Sequence, residues 1–230
     1  MLETQFDRTI GLIGQEKQEM LKTKKVLVLG VGGVGSYAVE MLARCGIGNI
    51  DIIDGDVVSI TNINRQLIAT NSTIGKDKVE VAKSRILDIN PNVRVNAIKK
   101  FLTKDNVEMY VLNEYDYIID AVDNVTVKIE VAKICDQKNI NLISCMGTGN
   151  KLCPELFEIT DIYKTSVCPL AKVMRKELKA RGVKGLTVLY SREEPIKLNK
   201  ERVPASICFT PSIAGIRIAE YVIKQLLKAK

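Results

Sequence analysis

The stretch from Lys25 to Cys45 constrains the fold more than any other. A continuous aliphatic run, Lys25 to Leu29, meets the cluster Gly30-Val31-Gly32-Gly33-Val34-Gly35, and a helical apolar pattern follows with Ala38, Met41, Leu42 and Cys45. The run reads as a strand buried on both faces. The cluster fits G-x-G-x-x-G, and residues Gly33 to Cys45 read as a helix. Strand, glycine turn and helix in this order make the start of a βαβ unit. A second strand, Asn49 to Ile53, ends at Asp54. Glycines there allow tight turning and close approach of backbone to phosphate, and the helix N-terminus offers free N–H groups.

The alternation continues along the chain. Gly14 to Leu21 reads as a short helix, Ile74 to Ile89 as a helix stopped by Asn90-Pro91, and Val93 to Ile98 as a strand. Asp105 to Leu112 reads as a short helix, Tyr117 to Ala121 as a buried strand, Val125 to Lys138 as a helix and Asn141 to Cys145 as a strand. This is the pattern of an α/β fold, a Rossmann-like and mostly parallel sheet with helices on both faces. After Gly147 the pattern changes. An extended segment leads to a helix from Pro169 to Arg181, with Ser166 as its cap and Gly182 as its stop. A strand from Leu186 to Ser191, a polar loop from Glu193 to Arg202 and an amphipathic helix opened by Pro211 complete the chain. The expected organisation is one domain over 1–230. Residues 1–150 form a nucleotide-binding core, 151–210 a small basic α/β insertion that binds substrate, and 211–230 a C-terminal helix.

Composition removes several kinds of chemistry. The 230 residues contain no histidine, which excludes Ser-His-Asp and Cys-His catalysis, imidazole-ligated metals and hydride transfer with an imidazole acid or base. Cys45, Cys135, Cys145, Cys153, Cys168 and Cys208 include no C-x-x-C pair, which argues against a structural zinc site. The N-terminus carries charges throughout and lacks the apolar stretch of a secretory signal. The most apolar segment, Ser206 to Leu227, is interrupted by Arg217, Glu220 and Lys224. A soluble cytoplasmic protein with reduced thiols is expected.

The glycine turn leaves open which nucleotide it holds. Asp54, ending the second strand, is placed to accept hydrogen bonds from ribose hydroxyls. Asn62, Asn64, Arg65 and Gln66 follow within reach of the phosphate end, and Arg65 offers a donor fork suited to phosphate oxygens. Gly75-Lys76-Asp77-Lys78 adds cations to the same side. A triphosphate undergoing cleavage needs such charge on the departing pyrophosphate; a dinucleotide needs little of it. Asp120 and Asp123 lie at the carboxyl end of a strand, where open α/β sheets bind ligands. Paired acids there suit Mg²⁺ held jointly with phosphate oxygens. Asp120 is the more suited of the two to bonding nearby backbone amides. These features favour ATP with Mg²⁺ over a nicotinamide cofactor.

The motifs "GVGGVGS", "IDGDVV", "TNINRQ", "GKDKVE", "INP" and "DAVDN", in this order, resemble the ThiF/MoeB adenylyltransferases, relatives of ubiquitin-activating enzymes. The resemblance covers most of Phe6 to Asn150. It implies binding of Mg-ATP and transfer of AMP to a carboxylate, with Gly33, Asp54, Asn62, Arg65, Lys78 and Asp123 at the nucleotide and the metal. Gly30, Gly32, Gly35, Asn64, Gln66 and Asn124 belong to the same motifs, and Asp123 is the implied metal ligand. Phe6 to Ile10 resembles the family's N-terminal segment, in which an arginine reaches across a homodimer to the partner's ATP. Arg8 takes that place here; without the resemblance it reads as a surface arginine.

The second half resembles one branch of the superfamily. "DIYKTSVCPLAKVMRKELKARGV" and "SICFTPSIAGIRIAEYVIKQL" are similar to tRNA threonylcarbamoyladenosine dehydratases, which close the side-chain carboxylate of a modified adenosine next to the anticodon into a ring. This chain departs from that pattern at Cys168, where an acidic residue is common. The rival reading is an adenylyltransferase for the C-terminal carboxylate of a ubiquitin-like sulfur-carrier protein; many such relatives carry two zinc-binding C-x-x-C pairs. Any sulfur-transfer or desulfurase partner is left open.

An RNA substrate matches the charge pattern. The chain has a formal net charge of +7. Between Thr160 and Val203 eleven Lys and Arg stand against five Asp and Glu, so nearly all the excess lies there. Lys172, Arg175, Lys176 and Lys179 share a helix face that could follow an RNA backbone, with Leu170, Val173 and Leu178 turned inward. Tyr163 and Tyr190 are candidates for base stacking or for the core. In the last helix Ile213, Ile216, Val222 or Ile223, and Leu226 suggest the buried stripe, either within the monomer or at a dimer contact.

Overall fold

The computed structural model describes residues 3–196 and 204–228. Seven strands form one sheet in the order β3-β2-β1-β4-β5-β7-β6. They are β1 (Lys25–Leu29), β2 (Asn49–Asp54), β3 (Arg94–Lys99), β4 (Tyr117–Asp120), β5 (Leu142–Cys145), β6 (Phe157–Asp161) and β7 (Thr187–Ser191). All neighbouring pairs are parallel except β6 with β7. The helices are α1 (Asp7–Ile13), α2 (Gln15–Thr23), α3 (Gly35–Arg44), α4 (Lys78–Ile89), α5 (Val125–Lys138), α6 (Pro169–Ala180) and α7 (Phe209–Leu226). Among the described residues no helix is long and apolar enough to cross a membrane.

Alternate residues of each strand point to opposite faces, and both faces are covered. Val26, Val28, Ile50 and Ile52 pack with α3, α4 and α7, including Leu42, Ile86 and Ile218. Leu27, Leu29, Ile53 and Ile118 pack with α5 and α6, including Val131, Met174 and Leu178. This explains why the central strands read as continuous aliphatic runs. The chain winds outward from β1 to β3 and then returns to β4 on the other side of β1. Strand order therefore reverses between β1 and β4, where a crevice opens at the carboxyl edge.

The expected elements are present, with instructive shifts. A helix precedes the expected one near the N-terminus: Asp7–Ile13 is α1, broken from α2 by Gly14 at φ +88°. The helix expected from Ile74 begins at Lys78. Gly75, Val58 and Lys78 spend their backbone N–H groups on Val58, Lys76 and Asp56 carbonyls, which forms a small bridge instead of a helical turn. The helix expected over Asp105 to Leu112 is reduced to a 3-10 turn at Val107–Met109. There Asn106 accepts from the Thr103 N–H and donates to the Phe101 carbonyl, local bonds that compete with a helix. Ser166 does not cap α6; Cys168 holds the N-cap position and Pro169 follows it. The polar loop expected to Arg202 lies, from residue 197 on, outside the described residues.

Each amphipathic stripe matches expectation in part, with Leu178 on α6 and Val222 and Leu226 on α7 buried as expected. On α6 the buried residues are Ala171, Met174 and Leu178, whereas Val173 is exposed. On α7 the buried residues include Ala214, Gly215, Ile218, Ala219, Val222 and Leu226, whereas Ile216 is exposed. Small residues line this stripe because α7 crosses α3 closely. A Cβ on Gly215 would stand 2.2 Å from the Val34 carbonyl oxygen.

Candidate functional site

The glycine loop leaves β1 at Gly30, whose φ of +86° disfavours any side chain. A Cβ on Gly35 would lie 1.8 Å from the Gly30 carbonyl oxygen, so the loop can close onto α3 only with glycine there. The first helical bond of α3 runs from the Ser36 N–H to the Gly32 carbonyl. Amides before it belong to the unpaired donors of a helix start, which attract anions. Gly30 and Val31 are the exceptions, since the Gly30 N–H donates to the Ile53 carbonyl at 2.8 Å and the Val31 N–H to Asp54 Oδ2 at 2.7 Å. Gly32 lies over Gln66 and Gly33 over Pro211 of α7. The glycine loop is thus built from both halves of the chain.

Asp54 ends β2 half-buried and also accepts from the Asp56 N–H at 2.9 Å. Each carboxylate oxygen retains a lone pair for a ribose hydroxyl. The segment after β2 folds back by 3-10 turns. Asn62 is buried, and its Oδ1 accepts from the Ser59 N–H at 3.0 Å, so it holds the turn. Asn64 donates to the Ser206 carbonyl and accepts from Arg65 Nη1. Arg65 Nη1 also donates to the Thr61 carbonyl at 2.9 Å, which leaves Nε and Nη2 for a ligand. Gln66 is buried beneath the glycine loop, and its Oε1 has no hydrogen-bond partner among the described residues.

Lys78 opens α4, buried, with Nζ 2.8 Å from Asp56 Oδ2. Asp56 is exposed. The cation is therefore held against the site by a carboxylate that water already solvates. Asp123 is exposed in the turn after β4, and Asn124 caps α5 by accepting from the Val127 N–H at 3.1 Å.

Asp120 does not pair with Asp123 as a second metal carboxylate. It is fully buried, with Lys128 Nζ at 3.0 Å and Ser144 Oγ at 2.6 Å. No group of three or more Cys, Asp or Glu that could hold a metal occurs among the described residues. One exposed carboxylate near the glycine loop would fit Mg²⁺, which takes one or two carboxylates and completes its shell with phosphate and water.

One expected site residue, Arg8, lies away from this crevice. Arg8 is on α1, which packs on α2. Phe6 at the start of α1 approaches Gly46, beyond the far end of α3 from the glycine loop. Arg8 is exposed on this helix, whose start lies against Gly46 at the amino edge of the sheet, opposite the carboxyl edge where the crevice opens. On α6, Lys172, Lys176 and Lys179 are exposed as one face. Arg175 instead turns to the Thr165 hydroxyl and to the Thr165 carbonyl at 2.9 Å, because it lies one turn after buried Ala171. Tyr190 is buried, and the Tyr163 hydroxyl donates to the Val183 carbonyl at 2.6 Å, so both serve the fold. Burial pushes the Cys145 thiol up to about 12, which removes it as a nucleophile at neutral pH.

The structure also supplies groups that the sequence did not single out. Phe101 follows β3, is exposed, and places its ring against Gly55. With Lys99, Lys100 and Asn106 it lines a cavity of about 360 Å³ beside Asp54. An aromatic face beside a carboxylate such as Asp54 can carry a base by stacking. The sequence offers no sign of it except an aromatic residue at the end of an alternating strand.

Residues 6–230 match the model of the ThiF family. The chain is 45% identical to the tRNA threonylcarbamoyladenosine dehydratase of Bacillus subtilis (strain 168), over 97% of this chain and 95% of the relative. It superposes with a TM-score of 0.90 on the Escherichia coli tRNA N6-threonylcarbamoyladenosine dehydratase, TcdA, solved in complex with ATP. That pair is 33% identical and covers 97% of this chain and 93% of the other. Similarity to the molybdopterin-synthase adenylyltransferase of Escherichia coli, at 36% identity, spans 60% of this chain and 56% of that relative.

Proposed function

The chain belongs to the ThiF family, and from that premise we propose that it is an ATP-dependent tRNA threonylcarbamoyladenosine dehydratase. It adenylates the side-chain carboxylate of N6-threonylcarbamoyladenosine beside the anticodon and closes that side chain into a ring. One observation carries this reading over a carrier-protein adenylyltransferase. Likeness to the dehydratase runs through 97% of the chain, beyond the nucleotide core, whereas likeness to the adenylyltransferase spans 60%.

The geometry supports the following chemistry. The triphosphate lies along the glycine loop from Gly30 to Gly35, with ribose at Asp54 and base beside Phe101. The substrate carboxylate attacks the α-phosphorus, and pyrophosphate departs. Arg65 presents Nε and Nη2 to the phosphates, and Lys78 exchanges exposed Asp56 for phosphate oxygen. Asn62, Asn64 and Gln66 hold the segment bearing Arg65 against the loop. Asp123, with Asn124 fixing its turn, would hold Mg²⁺, which when bound neutralises charge developing on the phosphates. The substrate's carbamoyl group then attacks the acyl carbon and expels AMP. Ring closure is intramolecular, so proximity replaces an enzyme nucleophile. That suits a chain without histidine and with a buried, protonated Cys145.

Arg8 cannot serve the crevice of its own chain from the opposite edge of the sheet. It acts in a homodimer, where Arg8 of a second copy completes the phosphate-binding cations. Lys172, Lys176 and Lys179 follow the tRNA backbone through phosphate contacts that read no sequence. Residues 1–150 thus bind ATP, residues 151–210 bind tRNA, and 211–230 buttress the glycine loop. The substrate places the protein in the cytoplasm.

The test uses ATP–pyrophosphate exchange and mass spectrometry of tRNA nucleosides. Wild-type protein with ATP should remove one water from the modified nucleoside. Asp123→Ala should lose exchange while still binding tRNA. Exchange that depends on a carrier protein instead of tRNA would refute the proposal, and retained turnover in Asp123→Ala would remove Asp123 from its role.

A further inference from the structure

Among the described residues the ion pair of Asp120 and Lys128 is the most deeply buried, at 0% and 1% exposure. With Ser144 it forms a closed ring. Lys128 Nζ donates to Asp120 Oδ2 at 3.0 Å and to Ser144 Oγ at 3.2 Å, and Ser144 Oγ donates to Asp120 Oδ2 at 2.6 Å. Asp120 Oδ1 accepts from the Val122 N–H at 3.2 Å.

Stability alone does not account for this arrangement. Desolvating two charges consumes much of what their attraction returns, and well-packed apolar replacements are often neutral or stabilising. What the pair adds is direction, because its bonds converge on one turn. Asp120 ends β4, Lys128 lies in the first turn of α5, and Asp123 sits between them. The Val122 amide is fixed by Asp120, and the far side of the turn is fixed by the Asn124 cap on Val127. The Ala121 N–H donates to the Leu29 carbonyl at 2.8 Å. The Ala121 carbonyl oxygen lies 2.8 Å from where a Cβ of Gly30 would stand. The same backbone therefore touches the glycine loop on one side and carries Asp123 on the other.

We propose that Lys128, Asp120 and Ser144 form a positioning unit that holds the Asp123 carboxylate in register with the glycine loop, so that a divalent cation is shared between Asp123 and the nucleotide's phosphates. The inference rests on the nucleotide site proposed above. It assigns these three residues no contact with substrate. Their effect reaches the cation through the backbone turn that carries Asp123; groups bonded directly to a metal ligand typically alter metal affinity or activity roughly 10–100-fold when replaced, which sets the scale.

The experiment titrates Mn²⁺ by electron paramagnetic resonance against full-length protein saturated with a non-hydrolysable ATP analogue, alongside thermal unfolding. Lys128→Met should weaken Mn²⁺ binding about tenfold or more, and Lys128→Arg should recover most of it. The neutral pair Asp120→Asn with Lys128→Met should regain thermal stability without regaining Mn²⁺ affinity. Recovery of both in the double variant would make the unit merely structural and overturn the proposal. If Lys128→Met does not fold, Ser144→Ala decides, since it removes a hydrogen bond without changing charge. Its affinity must fall, and an unchanged value overturns the proposal. Wild-type protein that binds no Mn²⁺ with nucleotide would refute the nucleotide-site reading itself, a failure visible before any variant is made.

Discussion

Gly215→Ala tests whether α7 sets the shape of the glycine loop. The added Cβ would stand 2.2 Å from the Val34 carbonyl oxygen and 2.9 Å from Tyr37 Cβ. Ordinary contact begins near 3.4 Å, so α7 must move by about 1.2 Å. Overpacking of this kind costs about 1–3 kcal/mol. For a chain of this length each kcal/mol lowers Tm by roughly 2–4 °C, so a fall of about 4–8 °C is expected for a mid-range cost. The shift reaches the site because Val34 belongs to the loop and Pro211, at the start of α7, already packs on Gly33. ATP affinity should therefore drop although residue 215 touches no ligand. Gly11→Ala is the matched control. Gly11 lies exposed in α1, and a Cβ there meets nothing within 4 Å. Replacing a helical glycine by alanine should stabilise by roughly 0.5–1 kcal/mol. Calorimetry of both variants with an ATP analogue gives stability and affinity together. A Gly215→Ala protein with wild-type Tm and wild-type ATP affinity would refute the close-packing argument.

Replacing Lys172, Lys176 and Lys179 together by Glu should weaken tRNA binding and flatten its salt dependence while ATP affinity stays unchanged, measured by filter binding across salt concentrations. Arg175→Ala should instead lower thermal stability, because its guanidinium holds Thr165. Glu40 provides a pH prediction. Burial pushes its carboxyl up, but hydrogen bonds from Arg85 and then Arg44 outweigh burial and hold it below the ordinary value of 4.5. Its folded pKa is depressed, so its stabilisation is complete above 4.5 and is lost as pH falls through the lower folded value. Glu40→Gln should cost about 2 kcal/mol near neutral pH and flatten the acid limb of the stability curve, followed by urea unfolding at several pH values.

The alternation of elements was legible because a parallel sheet covered on both faces makes its central strands uniformly aliphatic. The boundaries were less so, because local bonds override pattern. The helix after Ile74 was delayed by a bridge to residues 56–58, a pairing that no periodicity records. The stripes of α6 and α7 follow pattern only in part, for a different reason. Hydrophobicity ranks Ile216 above Gly215, yet the close crossing of α7 over α3 selects for small volume.

The same limit applies at the site. The motif residues at the crevice are visible as types in order, since folding gathers them near one edge of the sheet. Arg8 lies away from that edge, and its place in the site rests on the family resemblance and on a second copy of the chain. Asp120 reads two ways, as half of a metal-binding pair or as an acid that bonds backbone amides, because a carboxylate at the end of a strand offers the same chemistry whether or not it is free; its bond from the Val122 N–H bears out the second. What decided its role was Lys128 one helical segment later and Ser144 on the next strand. Both are residues whose types alone suggest nothing. A sequence therefore displays the groups that would meet a ligand more readily than the groups that aim them, since aiming depends on which side chains folding brings together.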